Sequence, residues 1–334
     1  MITQPDRAFI LGGTYRIPVL TGAFNRSFIA DMKRDGTFNE ASFDREYDSV
    51  WTGSAENAFF DGEKFDHSRV LNVPEYEPTG RSGKLSYYII SMDVGRKGCA
   101  SVVCIFKVTP QTQGPAFKSL VNMFCYYNMH FQDQCIKVKQ LYYKYNAQRI
   151  VIDGNGLGIG LLDYMIKSQV TDDGDVLPDF GVYNDDEGFY KQYKTDKTEQ
   201  DAVYIVKANT PINTEAYVAV QSQLNSGKVK LLIDERVAKN KLLATKLGQA
   251  MTPEKRNEYL QPFTYTSMLK DELMNLKEEN EGINILLKRS TKSIPQDKFS
   301  AFCYGLYYIK IEEEKKKKKK KRDISKLALF TKRS

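Results

Sequence analysis

Three aspartates stand where chemistry would need them. Asp93 closes the apolar run 87–92, Asp153 closes the run 149–152, and Asp297 stands at the start of the run 295–311. A carboxylate at the end of an apolar strand calls for a partner, because burying an unpaired charge is costly. Carboxylates held together repel, and their pKa values rise unless cations compensate. Mg2+ or Mn2+ suits that task, since hard cations take carboxylate and water oxygens. Two such ions can activate a water and stabilise the leaving oxygen of a displacement at phosphorus. The expectation is that Asp93 bridges both ions, Asp153 completes one site and Asp297 the other. Arg96 and Lys97, in the turn after Asp93, are weaker candidates for contact with DNA phosphates, since such residues also simply solubilise a hairpin turn.

Particular elements must bring these acids together. The runs 87–93, 100–108 and 117–127 are rich in Val, Ile, Phe and Tyr with short turns between them, which predicts an antiparallel meander. Residues 131–146 have helical spacing and lead into a further strand, 149–153. A strand–helix–strand crossover makes parallel strands. If that strand neighbours the first, Asp93 and Asp153 end adjacent parallel strands at the carboxyl edge, where open α/β sheets place their sites. The glycines at 154, 156, 158 and 160 read as a turn and a helix start. Residues 171–201 read as a long, acidic surface loop. A strand at 202–209, a helix at 214–226, a strand at 228–233, helices at 235–247 and 266–279 and a strand at 282–288 follow. Ser293 and Gln296 resemble a capping box for the last helix, with Pro295 suited to its first turn. Asp297, Ala301 and Gly305 are spaced by four and share one face, whose small residues would let it lie close on the sheet.

Composition narrows the classes. The chain of 334 residues is 41% hydrophobic, which favours a folded core. No apolar run approaches the roughly 20 residues of a membrane span, and no signal peptide is visible. Five cysteines without a CxxC pair read as core thiols in a reducing cytosol, and two histidines are too few for a zinc site or a Ser/His/Asp triad. No GxxxxGK[ST] occurs. Residues 315–334 hold eleven Lys and Arg against one acid, a surplus of ten, so against the total of +7 the remaining residues sum to −3. The body is therefore not globally basic, and a DNA path on it must be a local patch. Residues 1–84 read as an N-terminal extension and linker, with a helix at 40–51 and linker composition at 73–83. Residues 85–312 read as the α/β domain and 313–334 as a basic, disordered tail that is a solvated run or a phosphate-binding arm.

The order of strand-end Asp, meander, helix, strand-end Asp and late helix Asp resembles the ribonuclease H-like fold: a mixed sheet of antiparallel meander plus parallel strands, flanked by helices. More closely, IISMDVG, RIVIDGNGLGIGLLDYMI, AVYIVKANTPINTEAYVAVQSQLNSGKVKLL and QDKFSAFCYGLYYI resemble the nuclease half of a tailed-phage terminase large subunit. FDREYDSVWTGSAENAFF resembles the segment joining motor and nuclease in that family, so residues 1–84 resemble the end of the motor domain. The resemblance covers roughly residues 25–312. It implies a metal-dependent endonuclease that cuts concatemeric viral DNA during packaging by two-metal-ion hydrolysis. Asp93, Asp153 and Asp297 match the metal-binding acids, with two Mg2+ or Mn2+ ions. It further implies double-stranded DNA, portal protein, small terminase subunit and motor domain as partners, no membrane, and action in the host cytoplasm, transiently at the procapsid portal. Two departures matter. The P-loop is missing, so cutting without translocation is expected. Where some relatives carry an extra acid or His beside the last Asp or three residues before it, this chain has Gln296 and Ile294, so the resemblance supplies no fourth ligand at those positions.

Other readings compete. Another ribonuclease H-like nuclease, a resolvase or transposase, would use the same acids. A non-catalytic DNA- or portal-docking module would keep the fold without needing all three. Asp93-x-Gly95 also fits the phosphate hairpin of actin-like ATPases, but no second such hairpin follows.

Overall fold

The computed structural model describes residues 14–25, 27, 58–78, 86–96, 98–195, 198, 200–281 and 284–331. The helix expected over 40–51 lies outside them. The chain divides into two compact units, 1–54 and 55–334. In the first, helix α1 (Arg16–Leu20) closes with the Thr21 hydroxyl donating to the Ile17 carbonyl at 3.1 Å.

The second unit opens with helix α2 (Gly62–His67), capped by the Asp61 carboxylate, and strand β1 (Arg69–Leu71). Strands β2 (Tyr87–Asp93), β3 (Ala100–Thr109) and β4 (Phe117–Tyr127) form the expected antiparallel meander. Helix α3 (Phe131–Tyr145) crosses to β5 (Ala147–Asp153), which lies parallel to β2. Then come α4 (Leu157–Met165), the short pair β6 (Gln169–Val170) and β7 (Val176–Leu177), strand β8 (Val203–Val206), helix α5 (Thr210–Asn225) and strand β9 (Val229–Leu232). Helices α6 (Glu235–Leu243), α7 (Lys246–Ala250) and α8 (Pro253–Met274), a hairpin of β10 (Leu276–Glu281) and β11 (Asn284–Arg289), and helix α9 (Asp297–Thr331) complete it.

The main sheet has seven strands in the order β1-β9-β4-β3-β2-β5-β8. Pairing is antiparallel on both sides of β3 and parallel elsewhere, so β3 alone runs against the rest. This is the ribonuclease H-like mixed sheet flanked by helices. Side chains alternate between its faces. Ile90, Met92, Ile150 and Ile152 pack with Val138, Tyr142 and Leu161 of α3 and α4. Ile89, Val102, Cys104, Phe106 and Val151 pack with Val220, Leu269 and Phe302 of α5, α8 and α9. All five cysteines are free, and Cys104, Cys135 and Cys303 are buried. No described helix is long and apolar enough to cross a membrane.

Several expectations need correction. Residues 58–71 are no extension: β1 pairs with β9 at the sheet edge, and Phe59, Phe60 and Phe65 are core. Glu75, in the expected linker, is anchored by Tyr88 Oη donating to it at 2.6 Å and Lys107 Nζ at 2.9 Å. The helix expected over 266–279 begins at Pro253 and ends at Met274. Residues 276–279 pair instead with β11, and Leu276 and Leu287 are buried on one side of that hairpin. Helical spacing was outweighed by cross-strand pairing. The helix over 235–247 breaks at Thr245, whose hydroxyl accepts from the Gly248 N–H at 3.0 Å and starts α7. The stretch 171–201 is partly internal, since Phe180 and Val182 are buried and Val182 bridges to Val203. Finally, α9 continues to Thr331, well past residue 311 and into the segment expected to be a disordered tail.

Candidate active site

Asp93 and Asp153 end β2 and β5, which pair in parallel with Ser91 opposite Val151 and Met92 opposite Ile152. The next pair in that register is Asp93 and Asp153. Counting by two from Ile89 and Val151 puts both on the face covered by α9. Asp297 is the first residue of α9.

The small face of α9 does what its spacing predicted. Ser91 Oγ donates to the Ala301 carbonyl at 2.7 Å. A Cβ on Gly305 would collide with the Phe106 ring and lie 2.9 Å from Ser91 Cβ. Only glycine lets the helix lie this close on β2 and β3, and that approach sets where Asp297 stands.

The start of α9 differs from the expected capping box. Gln296 precedes the helix, and its carbonyl accepts from the Ser300 N–H at 2.9 Å. The side-chain cap comes from another element. Glu272 of α8 accepts from the Phe299 N–H at 2.8 Å and pairs with Lys298 Nζ at 3.2 Å. Glu272 and Lys298 are almost wholly buried, with side chains 1% and 2% exposed. Burial pushes the Glu272 carboxyl up, while Lys298 and the Phe299 N–H act against that. Burial works to lower Lys298, yet Glu272 holds it above the usual lysine range. Each oxygen of the Glu272 carboxyl thus has a donor.

The turns after the strands are equally built. Ser101 Oγ accepts from the Gly95 N–H at 2.9 Å and shares its proton between the Gly95 carbonyl and Gln134 Oε1, both at 2.8 Å. A Cβ on Gly95 would meet the Ala100 carbonyl at 2.5 Å, so the chain leaves Asp93 through a fixed glycine turn. After β5, Asp153 Oδ1 accepts from the Asn155 N–H at 3.0 Å. Gly156 has φ +56°, and a Cβ on Gly158 would collide with the Asp153 carbonyl oxygen. The first turn of α4 thus rests against the backbone of Asp153.

Electrostatics couple the acids. Burial, then Asp297, Asp153 and Glu272, push the Asp93 carboxyl up to about 8, with the Val94 N–H opposing. Asp93 is half-buried, so one side of its carboxyl keeps contact with solvent. Burial also raises Asp153, against its bond from Asn155. Among the described residues, no group of three or more acid, Cys or His side chains converges as a ready metal shell. The three aspartates share one edge and one field without closing on a point.

Arg96 is exposed and turns to the start of α3, with its guanidinium 5.1 Å from the Phe131 ring centre and 3.4 Å from His130 Nδ1. Lys97 lies outside the described residues. Sequence reasoning missed Glu272 and Lys298. A signal existed: Glu272 follows Thr266 and Leu269 at intervals of three, on the buried stripe of α8. A charge on an apolar stripe implies a buried partner.

No protein-family model matches this chain, and no curated protein matches it. Among solved structures, it is similar to the large terminase nuclease of thermophilic phage G20c with bound magnesium. Identity there is 12% over 75% of this chain and 97% of that one, with TM-score 0.44. It is similar also to the nuclease domain of the large terminase subunit gp2 of bacterial virus Sf6, at 10% identity over 75% and 98%, TM-score 0.39. The large terminase of bacteriophage HK97 is similar at 8% identity over 85% of this chain and 50% of that one, TM-score 0.40. The strand order and directions described above give the ribonuclease H-like fold.

Proposed function

We propose that this chain is a divalent-metal-dependent endonuclease that hydrolyses phosphodiester bonds of DNA at the carboxyl edge of its sheet. One observation carries the reading. Asp93 and Asp153 end adjacent parallel strands in register on one face, and Asp297 opens the helix laid across that face. The raised carboxyl of Asp93 is what an uncompensated acid in such a field would have, and carboxylate oxygens suit a hard cation such as Mg2+ or Mn2+. Asp93, Asp153 and Asp297 would hold the ions. When bound, two such ions would supply an activated water and stabilisation of the leaving oxygen.

The chain's own groups do the positioning. The Asn155 N–H donates to one oxygen of Asp153 and orients its carboxyl. Glu272 and Lys298 lock the first turn of α9, so Asp297 is presented from a fixed backbone. Ser101 and Gln134 hold the turn that leads away from Asp93. The order of the terminase-like segments supports concatemeric viral DNA as substrate, with portal protein, small terminase subunit and motor domain as partners in the host cytoplasm.

The test is supercoiled plasmid DNA incubated with the protein and Mg2+ or Mn2+. Nicking and linearisation with little sequence preference are expected, and both should stop in excess EDTA. Asp93→Asn, Asp153→Asn and Asp297→Asn should each abolish cutting while remaining folded. Full activity in the Asp93 or Asp297 variant, or undiminished cutting in EDTA, overturns the reading.

A further inference from the structure

The opposite edge of the sheet carries a different chemistry. The strands that run toward the acid edge begin here: β2 at Tyr87, β4 at Phe117 and β9 at Val229. Helix α9 crosses from one edge to the other. Its Glu313 accepts from the Ala116 N–H and from Lys118 Nζ, both at 2.7 Å. At about 1.5 Å per residue, that places Glu313 about 24 Å along the helix from Asp297.

Around this end the lysines are arrayed on aromatic rings. Lys228 Nζ and Lys230 Nζ stand 4.6 and 4.3 Å from the centre of the same ring, Phe117. Lys316 Nζ stands 4.7 Å from the centre of the Tyr87 ring. Lys230 also lines a depression of about 250 Å3 together with Lys64 and His67. The three glutamates on this part of α9 are already engaged: Glu312 by Lys315, Glu313 by Lys118 and Glu314 by Lys310. Among the described residues, Lys64, Lys228, Lys230, Lys316 and Lys317 make no ion pair. Burial, and then the proximity of Lys317 and Lys228, pull the Lys118 ammonium down despite Glu313. Like charges are thus held together at this edge.

We propose that this edge is a second DNA-contact surface, remote from the acids, on which Lys64, Lys228, Lys230, Lys316 and Lys317 grip the phosphate backbone of a duplex. It rests on the reading of the chain as acting on DNA. The chemistry favours backbone over bases. Lysine is a point charge without the fork that reads a base edge, and among the described residues no arginine joins the group. The occupant is duplex and not single strand, because single strands bind by stacking bases on open aromatic faces. Here the faces of Phe117 and Tyr87 are covered by ammonium groups. The rings also hold the lysines in place, so less side-chain freedom is lost on binding.

The full-length protein should be titrated in EDTA against a fluorescein-labelled blunt duplex, by anisotropy, over a range of salt. Replacing Lys64, Lys228 and Lys230 together by glutamine should weaken binding at least about tenfold and lower the log–log salt slope by about 2–3, at about 0.9 for each phosphate no longer neutralised. Arginine at the same three positions should keep the slope, which separates charge from packing. An unchanged slope in the glutamine variant overturns the surface, as does no duplex binding by the parent or tighter binding of single strands. The two readings fail separately. A glutamine effect on binding with no plasmid cutting by the parent sinks the nuclease and keeps the surface, while normal cutting with an unchanged slope does the reverse.

Discussion

Asp93→Asn should stabilise the metal-free protein while destroying its activity. The carboxyl stands up to about 8 in the folded chain, against 3.8 for an ordinary aspartate, from burial and from Asp297 and Asp153. An acid whose folded pKa is raised binds its proton more tightly folded than unfolded. Its contribution is therefore most favourable below about pH 4, declines as pH rises to about 8, and is constant beyond. At pH 8 the full shift of about four units corresponds to a ceiling of about 6 kcal/mol, at about 1.4 kcal/mol per unit. Residual solvent contact at Asp93 and relaxation around it reduce this to about 1–3 kcal/mol. Asparagine removes the charge with nearly the same shape. At about 2–4 °C per kcal/mol for a unit this large, the variant should melt roughly 2–12 °C higher at pH 8 in EDTA, with little difference near pH 4. Scanning fluorimetry at both pH values reads this directly. Saturating Mg2+ should raise the parent's Tm and leave the variant's nearly unchanged. A variant that melts lower at pH 8, or a difference that does not grow with pH, refutes the assignment of Asp93 as an uncompensated acid.

Other expectations follow from the supports of the site. Lys298→Met leaves Glu272 buried and unpaired, and should cost about 3–5 kcal/mol in urea unfolding, whereas Lys298→Met with Glu272→Leu should recover part of it. A double variant no better than the single would count against the pair's electrostatic isolation. Gly158→Ala brings a methyl against the Asp153 carbonyl, so cutting should fall with a smaller loss of stability, about 1–3 kcal/mol. A variant with parental cutting would show that α4 does not position Asp153. Gly305→Ala meets the Phe106 ring and should lower the melting temperature measurably, while a neutral result would mean that α9 does not need its close approach.

Much of this fold was legible in residue order. The meander, the crossover helix and the strand ending in Asp153 follow from period-two alternation, short turns and the handedness of crossovers, all local signals. The bounds of β2 and β4 match the expected 87–93 and 117–127, because strands buried along most of their length are rich in apolar residues. The four-residue spacing of Asp297, Ala301 and Gly305 foretold a close helix face, since one turn of helix is encoded by sequence alone.

What tertiary structure decided is which long-range partner each residue takes. Leu276–Glu279 has helical spacing but becomes a strand because β11 lies ready to pair with it. β1 is only three residues long and unremarkable until β9 stands beside it. Glu272 and Lys298 are 26 residues apart, and nothing local says that the glutamate of one helix caps the next. The lysines on Phe117 come from β9 and the turn before it, far along the chain from the ring they cover. Periodicity names the face a residue is on. Only the folded chain names what faces it, because the partner's free energy comes from burial and pairing that no local window contains.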